Sequence, residues 1–153
     1  MAFTPADDKI YLIPFTWEEH QRWDRIAVEV TTAQASKIAR LGIYLSAPTG
    51  LPLRRLLQSS ELSLAATGVL YETIGALLKP GTHWLAFAGN STTVELESRS
   101  VEGRLGGSGA DQDAGTYLSD SFSYSSGTDL PLAISSPTYL TASNIPLIAL
   151  RAT

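Results

Sequence analysis

Residues 106–110 read Gly-Gly-Ser-Gly-Ala, close to the G-x-S-x-G turn that lifts a serine nucleophile above a sheet. The final glycine is missing and the stretch lies in a Gly/Ser-rich run, so Ser108 reads as a loop residue. Such a serine also needs a histidine base oriented by a carboxylate. The chain carries two histidines, His20 and His83. Asp24 follows His20 closely, but closeness in sequence does not build a triad, and both histidines read as surface or hydrogen-bonded side chains. Two histidines this far apart have no metal-ligand spacing, and a chain without cysteine has no thiolate site. Asp111-Gln112-Asp113 opens like a calcium-binding loop, yet the glycine and the bidentate glutamate that should follow are missing. Glycoside hydrolysis needs two carboxylates across a cleft. Glu18, Glu19, Glu61, Glu72, Glu95, Glu97 and Glu102 are scattered, and Glu95 with Glu97 reads as one solvated strand face. No catalytic, cofactor-binding or metal-binding residue is assigned, and the expectation is a protein that is not an enzyme.

Binding asks for different residues. Trp17, Trp23, Trp84 and the tyrosines carry flat apolar faces on which a sugar ring stacks. Trp84 lies inside an apolar run and is expected in the core; Trp17 and Trp23 are expected to pack at strand ends. Tyr117, Phe122 and Tyr124 sit in a polar stretch with little to bury them. With Asp111 and Asp113 they are the candidates for ligand or inter-subunit contact.

The elements that position these side chains have a period of two. Lys9–Trp17 is rich in Ile, Tyr, Phe and Trp and reads as a strand, placed at a sheet edge because Pro14 cannot donate to a ladder. Ile26, Val28 and Val30 share one face of the next strand, and Leu41, Ile43 and Leu45 one face of another. Residues 46–52 are dense in turn formers. Leu53, Leu56 and Leu57, and Ile74 with Leu77 and Leu78, also fit helical spacing, but Gly68, Gly75 and the regular punctuation favour strands over 53–58 and 70–74. Lys79-Pro80-Gly81 is a tight turn. Residues 83–88 are apolar on both faces and read as a central strand; 92–98 alternate, and 146–151 close the chain as a strand. Residues 100–129 form a long Gly/Ser-rich loop or irregular segment, crossed by a short strand where Phe122 and Tyr124 alternate with serine. The fold expected is all-β, a single-domain antiparallel β-sandwich, jelly-roll-like, over 9–153 behind an N-terminal arm of 1–8. Its core candidates are Ile26, Val28, Leu41, Ile43, Trp84 and Leu85.

The chain has 153 residues and no cysteine, enough to bury a core without disulfides or a metal. A formal net charge of −4 disfavours a binder of phosphate backbones. Charged residues make up 17% of the chain, so its surface leans on Ser, Thr and Gly, which suits burial in an assembly. No run reaches the ~18 apolar residues of a membrane span. The start MAFTPADDKIYLIPF lacks the basic-then-apolar order of a secretory signal. The expectation is a chain soluble as made and not inserted in a membrane.

Five motifs in fixed order carry a resemblance. They are Trp23-Asp24-Arg25-Ile26, Arg40-Leu41-Gly42-Ile43-Tyr44, Thr67-Gly68 with Glu72-Thr73-Ile74, the run Leu78-Lys79-Pro80-Gly81-Thr82-His83-Trp84-Leu85-Ala86, and the closing Pro146-Leu147-Ile148-Ala149-Leu150-Arg151. Over roughly residues 10–151 the chain resembles a recurring all-β domain of tailed-bacteriophage virion proteins, often tail-fibre or similar appendage proteins. His83 stands where that pattern often has tyrosine. The resemblance implies a structural virion protein, a tail-fibre or receptor-binding subunit acting in host attachment. It also implies a homotrimer that meets other virion proteins and a host-surface glycan, assembled in the host cytoplasm and released by lysis. It carries no catalytic residue over. A capsid decoration protein or head fibre shares the expected fold, and a carbohydrate-binding module is the further alternative.

Overall fold

A strand that is apolar on both faces must be covered from two sides, and this decides how the layers stack. The computed structural model describes residues 2–100, 117–139 and 144–153. Among these residues the chain forms strands, numbered here in chain order, and no helix. One sheet holds β1 (Ala2–Phe3), β3 (Gln21–Thr32), β7 (Gly68–Leu78), β9 (Glu95–Ser100), β12 (Asn144–Pro146) and β13 (Ile148–Ala152). The other holds β2 (Lys9–Trp17), β4 (Ile38–Ser46), β5 (Pro52–Gln58), β6 (Leu62–Ser63), β8 (Gly81–Gly89), β10 (Leu118–Ser121) and β11 (Thr138–Tyr139). We call them the β3 sheet and the β8 sheet.

The two sheets pack face to face as an antiparallel β-sandwich. β2 pairs with β8 and β3 pairs with β7. The β2–β3 arm and the β7–β8 arm therefore run side by side as one antiparallel ribbon from one sheet into the other. That wrapping makes the single domain jelly-roll-like.

The core between the sheets takes Ile26, Val28 and Val30 from β3, Leu41 and Ile43 from β4, and Leu85 and Phe87 from β8. The alternation seen in β3 and β4 has its cause here, since every second side chain points inward. β8 is different, because the residues between its inward ones are also buried. Trp84, Ala86 and Ala88 point away from the β3 sheet and join Ile10 and Leu12 of β2 and Tyr44 of β4 in a second cluster. Residues 122–134 cover this cluster, with Tyr124, Leu130 and Ile134 buried in it and Phe122 packed against it. We call this segment the strap.

The strap leaves β10 at one edge of the β8 sheet and reaches β5 at the other. There the Arg55 amide donates to the Leu132 carbonyl and the Ile134 amide to the Leu53 carbonyl. Gly42 of β4 lets it pass, because a Cβ at this position would lie 2.7 Å from Leu130 Cδ1.

Three local expectations meet a different outcome. β2 is not an edge strand over Lys9 to Leu12, where it lies between β8 and β10. Ala2–Phe3 pairs with β9, and Phe3 is buried edge-on against Tyr11, so this part of the N-terminal arm belongs to the sandwich. The strand near Phe122 and Tyr124 lies earlier, at Leu118–Ser121, because the aromatic pair is taken up by the strap. The segments 53–58 and 70–74, with their partly helical spacing, are strands in β5 and β7.

Trp84 fills the space between β8 and the strap and is 4% exposed. Trp84→Ala is expected to cost about 3–5 kcal/mol, the usual loss for a buried aromatic. Urea unfolding of the two proteins measures it; an unchanged midpoint would show that the strap closes over the gap.

Candidate interaction face

The strap covers one outer side of the sandwich. The other outer side, the solvent face of the β3 sheet, carries a row of exposed apolar side chains on one strand. β7 alternates, so Leu70, Ile74 and Ala76 turn toward the core while Val69, Tyr71, Thr73, Gly75 and Leu77 face out. Val69 is 61%, Tyr71 49% and Leu77 59% exposed. None of the five outward positions is charged.

The neighbouring strands add charge to this face. The ladder sets Glu29 beside Val69, Ala27 beside Tyr71, Arg25 beside Thr73 and Arg22 beside Leu77. On the far side of β3, Ala149 lies beside Ala27 and Arg151 beside Arg25. The guanidinium of Arg25 sits over the Tyr71 ring, 4.2 Å from its centre, an arrangement that holds the ring in place. Arg151 donates from both sides of its fork to Asp24, with Nε 2.8 Å from Oδ1. This pairing holds the Asp24 carboxyl below the usual carboxylate range. At the other end of β3 the face turns acidic. Glu29 is followed by Glu95 of β9, which lies beside Thr32 and accepts its hydroxyl at 2.5 Å. The face is therefore polarised along its strands, with Arg22, Arg25 and Arg151 at one end and Glu29 and Glu95 at the other.

Among the described residues β7 is also an edge strand, and its edge is guarded. Between Trp23 and Arg25 the ladder gains one residue on β7, a bulge with Gly75 at φ 56°. A left-handed position in a bulge is where glycine has no steric penalty. Glu72 turns its carboxylate toward the sandwich, half-buried, and accepts the Ser60 hydroxyl at 2.9 Å. Bulges and inward charges are the devices that keep an edge from taking up a further strand.

The residues singled out for ligand or inter-subunit contact are placed elsewhere. Asp111 and Asp113 lie outside the described residues, as does the run 106–110. Tyr117 and Tyr124 are 1% and 4% exposed, the first in the core between the sheets and the second on the inner side of the strap. Tyr124 donates its hydroxyl to Glu61 at 2.6 Å and accepts from Arg40 Nε at 3.2 Å. Burial and the Glu61 carboxylate push its pKa up to about 12. The same hydroxyl, the Gly127 amide and the Ser126 hydroxyl hold Glu61 ionised below its ordinary range. Tyr124 thus joins strap to sandwich, while Tyr117 fills the core. The six core candidates Ile26, Val28, Leu41, Ile43, Trp84 and Leu85 are all buried. The outward row of β7 was not singled out from the sequence; its signal is that every second residue from Val69 to Leu77 (Val69, Tyr71, Thr73, Gly75, Leu77) is uncharged.

The histidines and tryptophans do not gather into a site with carboxylates. His20 is exposed, and Asp24 is engaged by Arg151. Among the described residues no group of three or more His, Asp or Glu side chains is placed to hold a metal ion. His83 is buried and stacks on Trp17 with ring centres 4.3 Å apart and planes 9° from parallel. Trp17 also touches Phe15 and Trp23, so its ring belongs to an aromatic cluster at one end of the core. No family model, curated protein or solved structure matches the chain.

Burial pushes the His83 pKa below the ordinary imidazole value, with a Gly81 backbone group acting in the opposite direction. The folded protein therefore prefers neutral His83, while the unfolded chain takes up a proton near pH 6.5. Stability is complete above that value and falls as the pH drops below it. Melting temperature is expected to decline from about pH 7 to about pH 5, a window above the range where Asp24 and Glu61 titrate. His83→Tyr should flatten the decline. Equal slopes for the two proteins would take the effect away from His83.

Proposed function

We propose that this chain is a non-enzymatic structural subunit of a tailed-phage virion, a tail-fibre-like appendage protein that takes part in host attachment. One observation supports this reading above the others. The motif residues that carry the resemblance serve the architecture, down to alternate positions of a single strand. In Arg40-Leu41-Gly42-Ile43-Tyr44, Leu41 and Ile43 fill the core between the sheets. The residues between them hold the strap. Arg40 bonds Tyr124 and the Ser59 carbonyl, Gly42 admits Leu130, and the Tyr44 hydroxyl donates to the Pro131 carbonyl at 2.5 Å. Trp84 of the later motif fills the strap cluster, and Asp24 and Arg25 of the first motif shape the outer face.

A motif set devoted to layers and to a surface suits a protein that acts by being placed, not by turning over a substrate. The low charge content and the exposed uncharged row of β7 fit a subunit that packs against other surfaces. Paired copies of the chain would meet other virion proteins and present a host-facing surface.

Antibody raised against the purified chain tests the reading on particles released by lysis. Gold label at the tail tip or fibres is the expected result. Label spread over the head would replace the appendage with a capsid decoration protein or head fibre. Particles that neither bind the antibody nor contain the chain by mass spectrometry would reject a virion role.

A further inference from the structure

We infer that the solvent face of the β3 sheet is a docking surface for another copy of this chain, with the outward row of β7 at its centre. The inference rests on the structural-subunit reading and names the surface through which the subunits meet.

The row Val69, Tyr71, Thr73, Gly75 and Leu77 is uncharged and exposed along the whole of an ordered strand. Single exposed apolar residues are ordinary, but a row of them on one rigid strand marks a surface that meets something. The partner does not add as a further strand, because the Gly75 bulge and the inward Glu72 guard the β7 edge. It approaches the face instead. There the ladder leaves small residues, Ala27 and Ala149, next to the Tyr71 ring, so the sheet offers a low surface with the ring standing beside it.

Charge identifies the occupant. The face has a basic end, Arg22 and Arg25 with the Arg151–Asp24 pair, and an acidic end, Glu29 and Glu95. A partner that matches both ends must carry the same two signs at the same spacing in reverse order. This face is itself such a surface. When the basic end of one copy lies against the acidic end of the next, Arg22 meets Glu29 and the apolar row of β7 meets its counterpart, Leu77 toward Val69. A uniformly charged partner, such as a nucleic acid or an anionic lipid surface, would match one end and be repelled by the other. Arg25 is already turned onto Tyr71, so the aromatic contact is set before the copies meet.

Light scattering of the purified full chain over a concentration series tests the contact. The wild type is expected at twice the 16.4 kDa chain mass, because a face that meets its own counterpart closes as a twofold pair. Leu77→Asp is expected to return it to the single-chain mass with the β-sheet circular dichroism retained, since the side chain is exposed. Arg22→Glu should weaken assembly by about tenfold, and Arg22→Glu with Glu29→Arg in the same chain should restore most of the loss. That rescue separates opposed charges from a general loss of fold. A wild type that stays at 16.4 kDa, an assembly that survives Leu77→Asp, or a double variant no better than Arg22→Glu would overturn the inference. A single-chain wild type found on particles overturns this contact and leaves the virion role. An assembly lost in Leu77→Asp, with the chain absent from particles, does the reverse.

Discussion

The two-sided burial of β8 is the constraint on which the other layers depend. Seven consecutive residues from His83 to Gly89 are buried, and a strand has two faces. Leu85 and Phe87 are satisfied by the β3 sheet, while Trp84, Ala86 and Ala88 would face water in a plain two-layer sandwich. Burying a large aromatic side chain is worth roughly 1.5–3 kcal/mol by area alone, so a bare outer face would forfeit much of the contribution of Trp84. The strap resolves this by making a partial third layer. Ile10 and Leu12 of β2, flanking β8, need the same cover and receive it from the same segment.

A loop that lies flat on a sheet must find partners for its own backbone, or the burial is offset by lost hydrogen bonds. The strap finds them at its margins. Gln58 accepts the Leu130 amide, Arg55 donates to the Leu130 carbonyl, and Asp120 accepts the amides of Ser135 and Ser136. Glu61 gathers the Tyr124 hydroxyl and the Gly127 amide. Polar side chains of β5 and of the turn after it therefore do for the strap what a neighbouring strand does for a ladder. This leaves the two outer sides of the sandwich unlike each other: one is closed by the chain's own strap, and the other presents the open row of β7.

Much of this architecture was legible in the residues. β3 and β4 could be read from alternation because one of their faces is inward and carries Ile26, Val28, Leu41 and Ile43. β8 could be read as central because nothing polar interrupts it. Tyr117 and Tyr124 were misleading for a physical reason. Local polarity suggested open loops, but Ser and Gly around an aromatic residue say nothing about what lies across from it in space. The cover for Tyr124 comes from Arg40 and Glu61, which are 84 and 63 residues away. β7 was doubtful because Ile74, Leu77 and Leu78 satisfy a helical period as well as a strand period, and pairing with β3 decided between them.

The sequence by itself determined the strand periods, the turns that separate them, and the number of faces each strand must bury, because these follow from which side chains alternate along a local backbone. The tertiary structure alone decided what covers each face. The strap lies over Trp84 because Gly42 leaves it room and residues far along the chain hold its backbone. The row of β7 lies on the side away from the strap, and Arg151 of β13 and Glu95 of β9 extend the basic and acidic ends that Arg22, Arg25 and Glu29 begin on β3. Such adjacency joins positions distant in the chain, and the period of a single strand cannot encode it.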